Sequence, residues 1–309
     1  MAITVVGSIA FDSVKTPFGE RERMLGGSAV HFSLAASYFC DVRVVGPVGD
    51  DFGDAEYAVL HERGVDTSDI ERVPGGRTFF WAGEYGYDFN TRDTLDTQLG
   101  VFGEFDPKLS EESRAAEMLF LGNIQPDLQY EVRRQCDRAR LTGLDSMNLW
   151  IETTRESLLR VVGDVDLLFL NDIEVRELME EPNLVRAARA MLELGPRAVV
   201  AKQGEYGASL YAADRFFSMP AYPLETVRDP TGAGDCFAGG FMGYLASRGP
   251  AATDDDAELR RAMTYGSVLA SFNVEEFGTD RVRRLERDEI DARYEEFRAM
   301  TEISSAPMR

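Results

Sequence analysis

Apolar runs of strand length alternate with stretches of helical spacing along most of this chain, and that alternation constrains its fold more than any other feature. Ile3–Ile9, Val42–Val48, Met118–Leu121, Leu141–Leu144, Leu167–Leu170 and Ala198–Lys202 read as strands. Between them, Gly26–Phe39 (Val30, Leu34 and Tyr38 on one stripe), Asp54–Arg63 (ended by Gly64), Asp127–Arg138, Arg155–Val162, Glu174–Met179 and Leu184–Leu194 read as helices. Repeated strand–helix–strand order demands parallel pairing, because a parallel neighbour is reached only by a crossover. The expected architecture is α/β: a doubly wound, mostly parallel sheet flanked by helices. Ala208–Met219 reads as a hairpin and Ala257–Phe272 as a late helix, and the stretch Ile303-Ser304-Ser305-Ala306-Pro307 is expected to fray. The length of 309 residues suits a single domain of this class, spanning 1–309.

Two stretches break the alternation, Ser13–Leu25 and roughly Gly75–Val101. The second holds Phe79, Phe80, Trp81, Tyr85, Tyr87 and Phe89 among scattered glycines, and reads as twisted strands outside the main sheet. An extra edge hairpin on the core is the alternative.

Asp229-Pro230-Thr231-Gly232-Ala233-Gly234-Asp235 lies between an extended run ending near Val227 and an apolar helical run, Cys236–Leu245. Gly232 and Gly234 permit a tight turn whose N–H groups converge, and the helix start adds the positive end of its dipole. That is an anion site. Asp235 beside it would repel a bound phosphate, so it needs a reason, and taking a proton from an attacking hydroxyl is one. Taken alone, the same residues also suit an ordinary glycine turn with Asp235 capping the helix.

DPTGAGDCFAGGF resembles the C-terminal signature of the PfkB (ribokinase-like) carbohydrate kinases, and Gly26-Gly27-Ser28-Ala29-Val30-His31 resembles their N-terminal Gly-Gly signature. The resemblance extends from Val5 to about Gly278. It implies an ATP-dependent kinase with a small β-sheet lid, drawn from about 13–25 and 75–101, over the acceptor site. It implies Asp235 as the base and Gly232, Ala233 and Gly234 as the anion hole. Asp12 would bind acceptor hydroxyls, both of which one carboxylate can accept, and Gly26 and Gly27 would admit the acceptor close to the backbone. Asn171 and Glu174, in Asn171-Asp172-Ile173-Glu174, would help place Mg²⁺, largely through water. Lys202, Gly204 and Gly207 match a Lys-x-Gly-x-x-Gly turn at the nucleotide. Asp229 and Thr231 stand where the family supplies ligands to a monovalent cation, K⁺.

The departures bear on the acceptor. Ala10 stands where the family has an asparagine, His31 where another asparagine is common, and Ser28 where ribose-specific members have lysine. Plain ribose is therefore disfavoured. His31 either hydrogen-bonds the acceptor or is a satisfied helix histidine. Cys236 reads as a packed thiol rather than an activated one. The arginines near the lid, Arg21, Arg23, Arg77 and Arg92, are scattered among acids, which disfavours sugar phosphates. The reading is an unphosphorylated sugar or polyol as acceptor, with a nucleoside second. A catalytically silent sugar- or nucleotide-binding relative is the competitor from another class. A dinucleotide-binding dehydrogenase lacks its fingerprint, since Gly7-Ser8-Ile9-Ala10 follows the first strand.

The formal charge is −21, against nucleic acid or anionic membrane as partners. Lysine occurs only at Lys15, Lys108 and Lys202. Such a surface fits a salty cytoplasm or simply an acidic composition. Cys40, Cys136 and Cys236 have no C-x-x-C spacing, and no run approaches a membrane span, so a reducing cytoplasm is expected. A homodimer through the lid is the expected assembly if one forms.

Overall fold

The computed structural model describes residues 1–89 and 91–302, with the side chain of Pro250 left aside. The fraying expected at 303–307 lies outside them. The strands are β1 (Ile3–Val6), β2 (Ala10–Thr16), β3 (Gly19–Gly26), β4 (Val42–Val48), β5 (Asp66–Arg72), β6 (Phe79–Tyr85) and β7 (Arg92–Gln98). They continue as β8 (Met118–Leu121), β9 (Leu141–Asp145), β10 (Leu167–Asn171), β11 (Ala198–Lys202), β12 (Ala208–Ala212) and β13 (Phe216–Met219).

Nine of them form one sheet, ordered β13-β12-β11-β10-β9-β8-β1-β4-β5. Pairing is parallel from β11 to β5 and antiparallel only at the β11–β12–β13 edge. The winding reverses at β1, which lies between β8 and β4. Both faces of the sheet are covered. Phe120, Phe169 and Val200 enter one buried cluster, while Leu121, Leu168, Leu170 and Val199 enter the other. Strands buried on both faces carry no alternation, which is why their sequences are continuous apolar runs.

The stretches that broke the alternation form a second sheet, ordered β3-β2-β6-β7. β2 pairs parallel with β6, and both outer pairs are antiparallel. The sequence reading missed β5, whose DTSDIER is mostly polar; it pairs only with β4, at the sheet edge. It also missed the helices Asn148–Thr153 and Arg287–Thr301. The latter is predominantly polar and buries only Ile290 and Phe297 fully, so it has too few apolar residues to show a clear stripe.

Candidate active site

Three neighbouring parallel strands end in polar side chains on one rim of the large sheet. β9 ends in Asp145, β10 in Asn171 and β11 in Lys202, with Asn171 in register with Lys202 and Phe169 with Asp145. Lys202 Nζ donates to Asp145 Oδ2 at 2.7 Å. A Cβ added to Gly234 would lie 2.9 Å from the same Nζ, so the ammonium packs on the first turn of the Ala233–Arg248 helix. Burial penalises this charge, but Asp145, Glu174 and Asp235 outweigh it and hold Lys202 above its usual range. The sequence reading put Lys202 in a glycine turn. In the structure its head group leaves that turn and joins the carboxylates. Gly204 and Gly207 serve the turn itself: both have positive φ, and Gln203 N–H donates to Gly207 O at 2.8 Å.

Asn171 begins the Asp172–Met179 helix. Its Oδ1 accepts from Glu174 N–H at 2.8 Å, and its own N–H donates to Glu174 Oε2 at 2.8 Å. This capping box explains the N-x-x-E pattern locally and leaves Glu174 Oε1 outside that pairing. Burial pushes the Glu174 carboxyl up to about 7, with Lys202 opposing.

Asp235 stands in the first turn of the Ala233–Arg248 helix. Burial, then the charge of Asp145, pushes its carboxyl up to about 7 against the pull of Lys202. Gly232 turns at φ 76°, a left-handed conformation that favours glycine. Among the described residues, no acceptor takes the N–H of Gly232 or Gly234, whereas Ala233 N–H donates to Pro230 O at 3.2 Å. Of the expected N–H trio, Gly232 and Gly234 are therefore open, and Ala233 is spent on the turn.

Asp12 comes from β2, in the small sheet. Its carboxylate lies so close to Gly26 that any Cβ there would collide with Oδ2. Gly27, at φ 94°, sits on the Ser8 carbonyl, and its N–H supports Asp12. The two glycines thus serve the clamp itself. Burial, then Asp229, raises the Asp12 carboxyl to about 7, with the Gly27 N–H and Arg92 opposing. Register places Trp81 beside Asp12, on the same face of the sheet. The indole lies across Gly83, which has no side chain to obstruct it, and the Arg92 guanidinium is 5.3 Å from the ring centre. Arg92 also stabilises the charge of Glu174, across the cleft.

Asp229 is fully buried. Its Oδ1 accepts from Thr231 N–H and its Oδ2 from Gly278 N–H, each at 2.9 Å. Burial still dominates and raises its carboxyl. Thr231 Oγ1 bonds the Tyr85 hydroxyl of the small sheet at 3.1 Å. His31 is buried behind the turn, its ring occupying the space a Gly232 Cβ would need. Burial holds its pKa down at about 4, so it is neutral. Cys236 is a fully buried thiol raised well above its ordinary value, by burial first and Asp235 second, in keeping with a packed role.

Asp145 and Asn273 (which contacts His31) escaped the sequence reading, which had Tyr85 and Arg92 only as an aromatic and a scattered arginine of the stretch outside the main sheet. Asp145 had a signal: a carboxylate at the carboxyl end of a predicted parallel strand. The others had none, since only tertiary contacts bring them here. A cavity of about 800 Å³, between β5 and the turns around Arg77 and Gly100, shares no lining residue with this site.

The family model for pfkB family carbohydrate kinases matches residues 2–284. A cytidine kinase of Thermococcus kodakarensis is 30% identical over 256 residues, 80% of this chain and 89% of that protein. A nucleoside kinase of Methanothermobacter thermautotrophicus is 27% identical over 314 residues, 90% of each chain. An E. coli protein designated ribokinase II, crystallised with ATP and Mg²⁺, superimposes with a TM-score of 0.77 at 21% identity, covering 95% of this chain and 99% of that one.

Proposed function

The chain belongs to the pfkB family of carbohydrate kinases, a phosphotransferase with a hydroxyl acceptor, and from that premise we propose that Asp235 is the general base for transfer to an unphosphorylated sugar or polyol. One observation carries this: a carboxyl held near 7 beside the open N–H groups of Gly232 and Gly234, with Lys202 against the same turn. A base with that pKa is half-ionised near neutrality, where proton transfer is most effective. Asp12 orients the acceptor by accepting hydrogen bonds from its hydroxyls. Asp235 receives the proton of the attacking hydroxyl as its oxygen bonds to the γ-phosphorus and the bond from that phosphorus to the bridging oxygen breaks, so that ADP leaves. The N–H groups and Lys202 face the charge on the moving phosphoryl oxygens. The four-stranded sheet acts as the lid of one kinase domain spanning 1–309.

ATP·Mg²⁺ is the donor in this reading. Asp145, Glu174 and Asp235 outnumber Lys202, so the pocket has negative charge for a cation to neutralise. No three or more metal-ligating side chains converge among the described residues. Glu174, helped by Asn171, would therefore hold Mg²⁺ largely through water, as suits a hard cation that keeps much of its hydration. Bound there, it would neutralise phosphate charge. Asp229, whose charge only N–H groups and the Thr231 hydroxyl support, suits K⁺. Leu95 and Leu99, exposed on and just beyond the edge strand β7, would bury apolar surface in a lid-to-lid homodimer; a monomer by sedimentation at micromolar concentration rejects that element.

A second reading, a nucleoside acceptor, is favoured by the Trp81 plate beside Asp12 and by the two relatives named for nucleosides. Stacking on such a ring is worth about 1–3 kcal/mol per base. An ADP-release screen over free sugars, polyols, nucleosides and sugar phosphates, with Mg²⁺ and with or without K⁺, separates the readings. Turnover of nucleosides alone replaces the first by the second. Turnover of nothing but a sugar phosphate rejects both, and no turnover at all favours the silent relative.

A further inference from the structure

Behind the open N–H groups lies a buried polar cluster that the proposed chemistry does not use. Asn273, the last residue of the Asp256–Asn273 helix, is fully buried. Its Nδ2 donates to Thr231 O at 2.7 Å. Its Oδ1 lies 3.1 Å from His31 Nδ1 and accepts from Cys236 Sγ at 3.3 Å. These contacts fix the proton on the histidine. A carbonyl can only accept, so the amide of Asn273 must turn its nitrogen to Thr231 and its oxygen to His31. The imidazole must then carry its hydrogen on Nδ1, which leaves Nε2 a bare, buried acceptor. One amide thus ties together the carbonyl that precedes Gly232, the ring that lies behind Gly232, and the thiol one turn into the helix.

Physically, this arrangement resists motion. Thr231 and Gly232 belong to a turn whose glycine has left-handed backbone freedom, and a turn of that kind drifts unless something holds it. Packing from His31 blocks movement toward the Ser28–Ala36 helix, while Asn273 holds the Thr231 carbonyl from the opposite side of the sequence. A buried network with these partners holds one geometry, because breaking one bond leaves another group unpaired in an apolar setting.

We propose that Asn273 and His31 are positioning residues that fix the Thr231–Gly234 turn so that the N–H groups of Gly232 and Gly234 point at the transferring phosphoryl group. The proposal rests on the reading of those N–H groups as the anion hole. Neither side chain touches the reacting atoms in this scheme.

The test is Asn273→Ala, with Asn273→Asp as the variant of unchanged size that keeps the acceptor for His31 and loses the donor to Thr231. Misplacement of catalytic groups by an ångström costs up to about 10²-fold, so kcat should fall roughly 10–100-fold in either variant, with the KM for ATP within about twofold. Affinity for Mg²⁺·ADP with aluminium fluoride, a mimic of the phosphoryl in flight, should weaken by the same factor as kcat, while affinity for Mg²⁺·ADP alone is retained. Loss of the fluoride complex and of ADP binding in equal measure would overturn the proposal, as would kcat within twofold of wild type. If Asn273→Ala fails to fold, Asn273→Asp decides the question by the same measurements. Failure of the wild-type enzyme to form the fluoride complex would reject the anion-hole reading itself. A wild-type complex that Asn273→Asp leaves intact would reject the positioning role alone.

Discussion

The two sheets are built on opposite terms. The central strands of the large one are apolar and buried on both faces; Phe169, for example, is fully buried and meets Phe120 and Phe241 edge-on. In the small sheet every residue of β7 is exposed, and β3 is exposed over Gly19–Arg23. Its own buried cluster is Val14, Tyr85 and Phe277, and Phe277 comes from the turn that follows the Asp256–Asn273 helix. At its root the small sheet is joined to the core by apolar contacts, with Phe11 inside the main cluster and Leu25 and Phe80 packed against it. Further out the ties are polar, such as Thr16 Oγ1 to Arg228 O at 2.9 Å and Tyr85 to Thr231. The large sheet can therefore hold Asp145, Asn171 and Lys202 at fixed spacing. The small one carries Asp12 and Trp81 on inner strands flanked by exposed ones, the kind of element that opens at lower free energy than a buried core. Asp145, Asn171 and Lys202 thus sit at strand ends of the buried sheet, and Asp12 and Trp81 on the more exposed one.

The largest expected effect tests the rigid side. Asp235→Asn keeps size and hydrogen bonding but cannot take the proton, and kcat should fall roughly 10²–10⁴-fold with ATP affinity little changed. Steady-state kinetics checks this, and near-normal turnover would remove Asp235 as the base. Stability then separates the sheets directly. Phe169→Ala should cost about 3–5 kcal/mol in urea unfolding. Leu95→Ala, on exposed β7, should stay within about 0.5 kcal/mol. Comparable losses would mean that the small sheet is as integral to the fold as the large one.

Acid titration offers a third measure. The Asp235 carboxyl, raised to about 7, must lose its proton to act, so kcat/KM should rise about tenfold per pH unit below 7 and level off above it. A rate flat from pH 5 to 8 would contradict the assignment. The sign for stability is opposite. Asp12, Glu174 and Asp235 are each raised to about 7, so folded protein holds protons that unfolded chains release near pH 4. Their contribution is present below about pH 4 and is lost as pH climbs toward 7. Mg²⁺·ATP should restore stability most at the upper end of that window.

The smallest effect probes the latch. Tyr85→Phe removes one hydrogen bond to Thr231, worth about 0.5–1.5 kcal/mol, so opening of the small sheet should become roughly 2–10-fold easier. Faster amide exchange in β6, with exchange in β10 unchanged, is the expected pattern. Equal acceleration in both strands would tie the sheets into one cooperative unit.

Local physics made much of this protein legible in its sequence. Strands buried on both faces must be continuous apolar runs, so Val42–Val48, Met118–Leu121 and Ala198–Lys202 were readable to the residue. The turn at Gly232 and the helix start holding Asp235 were readable from the two glycines and the helix dipole, which are local, whereas the groups that fix the turn, His31 and Asn273, are distant in sequence. Tertiary structure decided the rest. Lys202 meets Asp145 from 57 residues away, and His31 meets Asn273 from 242 away. No pattern along the chain marks either pair. β5, with its polar DTSDIER, is a strand because β4 offers it a hydrogen-bonding edge, not because its side chains ask to be buried. Even the raised carboxyls of Asp12, Glu174 and Asp235 belong to no residue by itself: they arise from desolvation and neighbouring charge, and both exist only once the chain has closed around them.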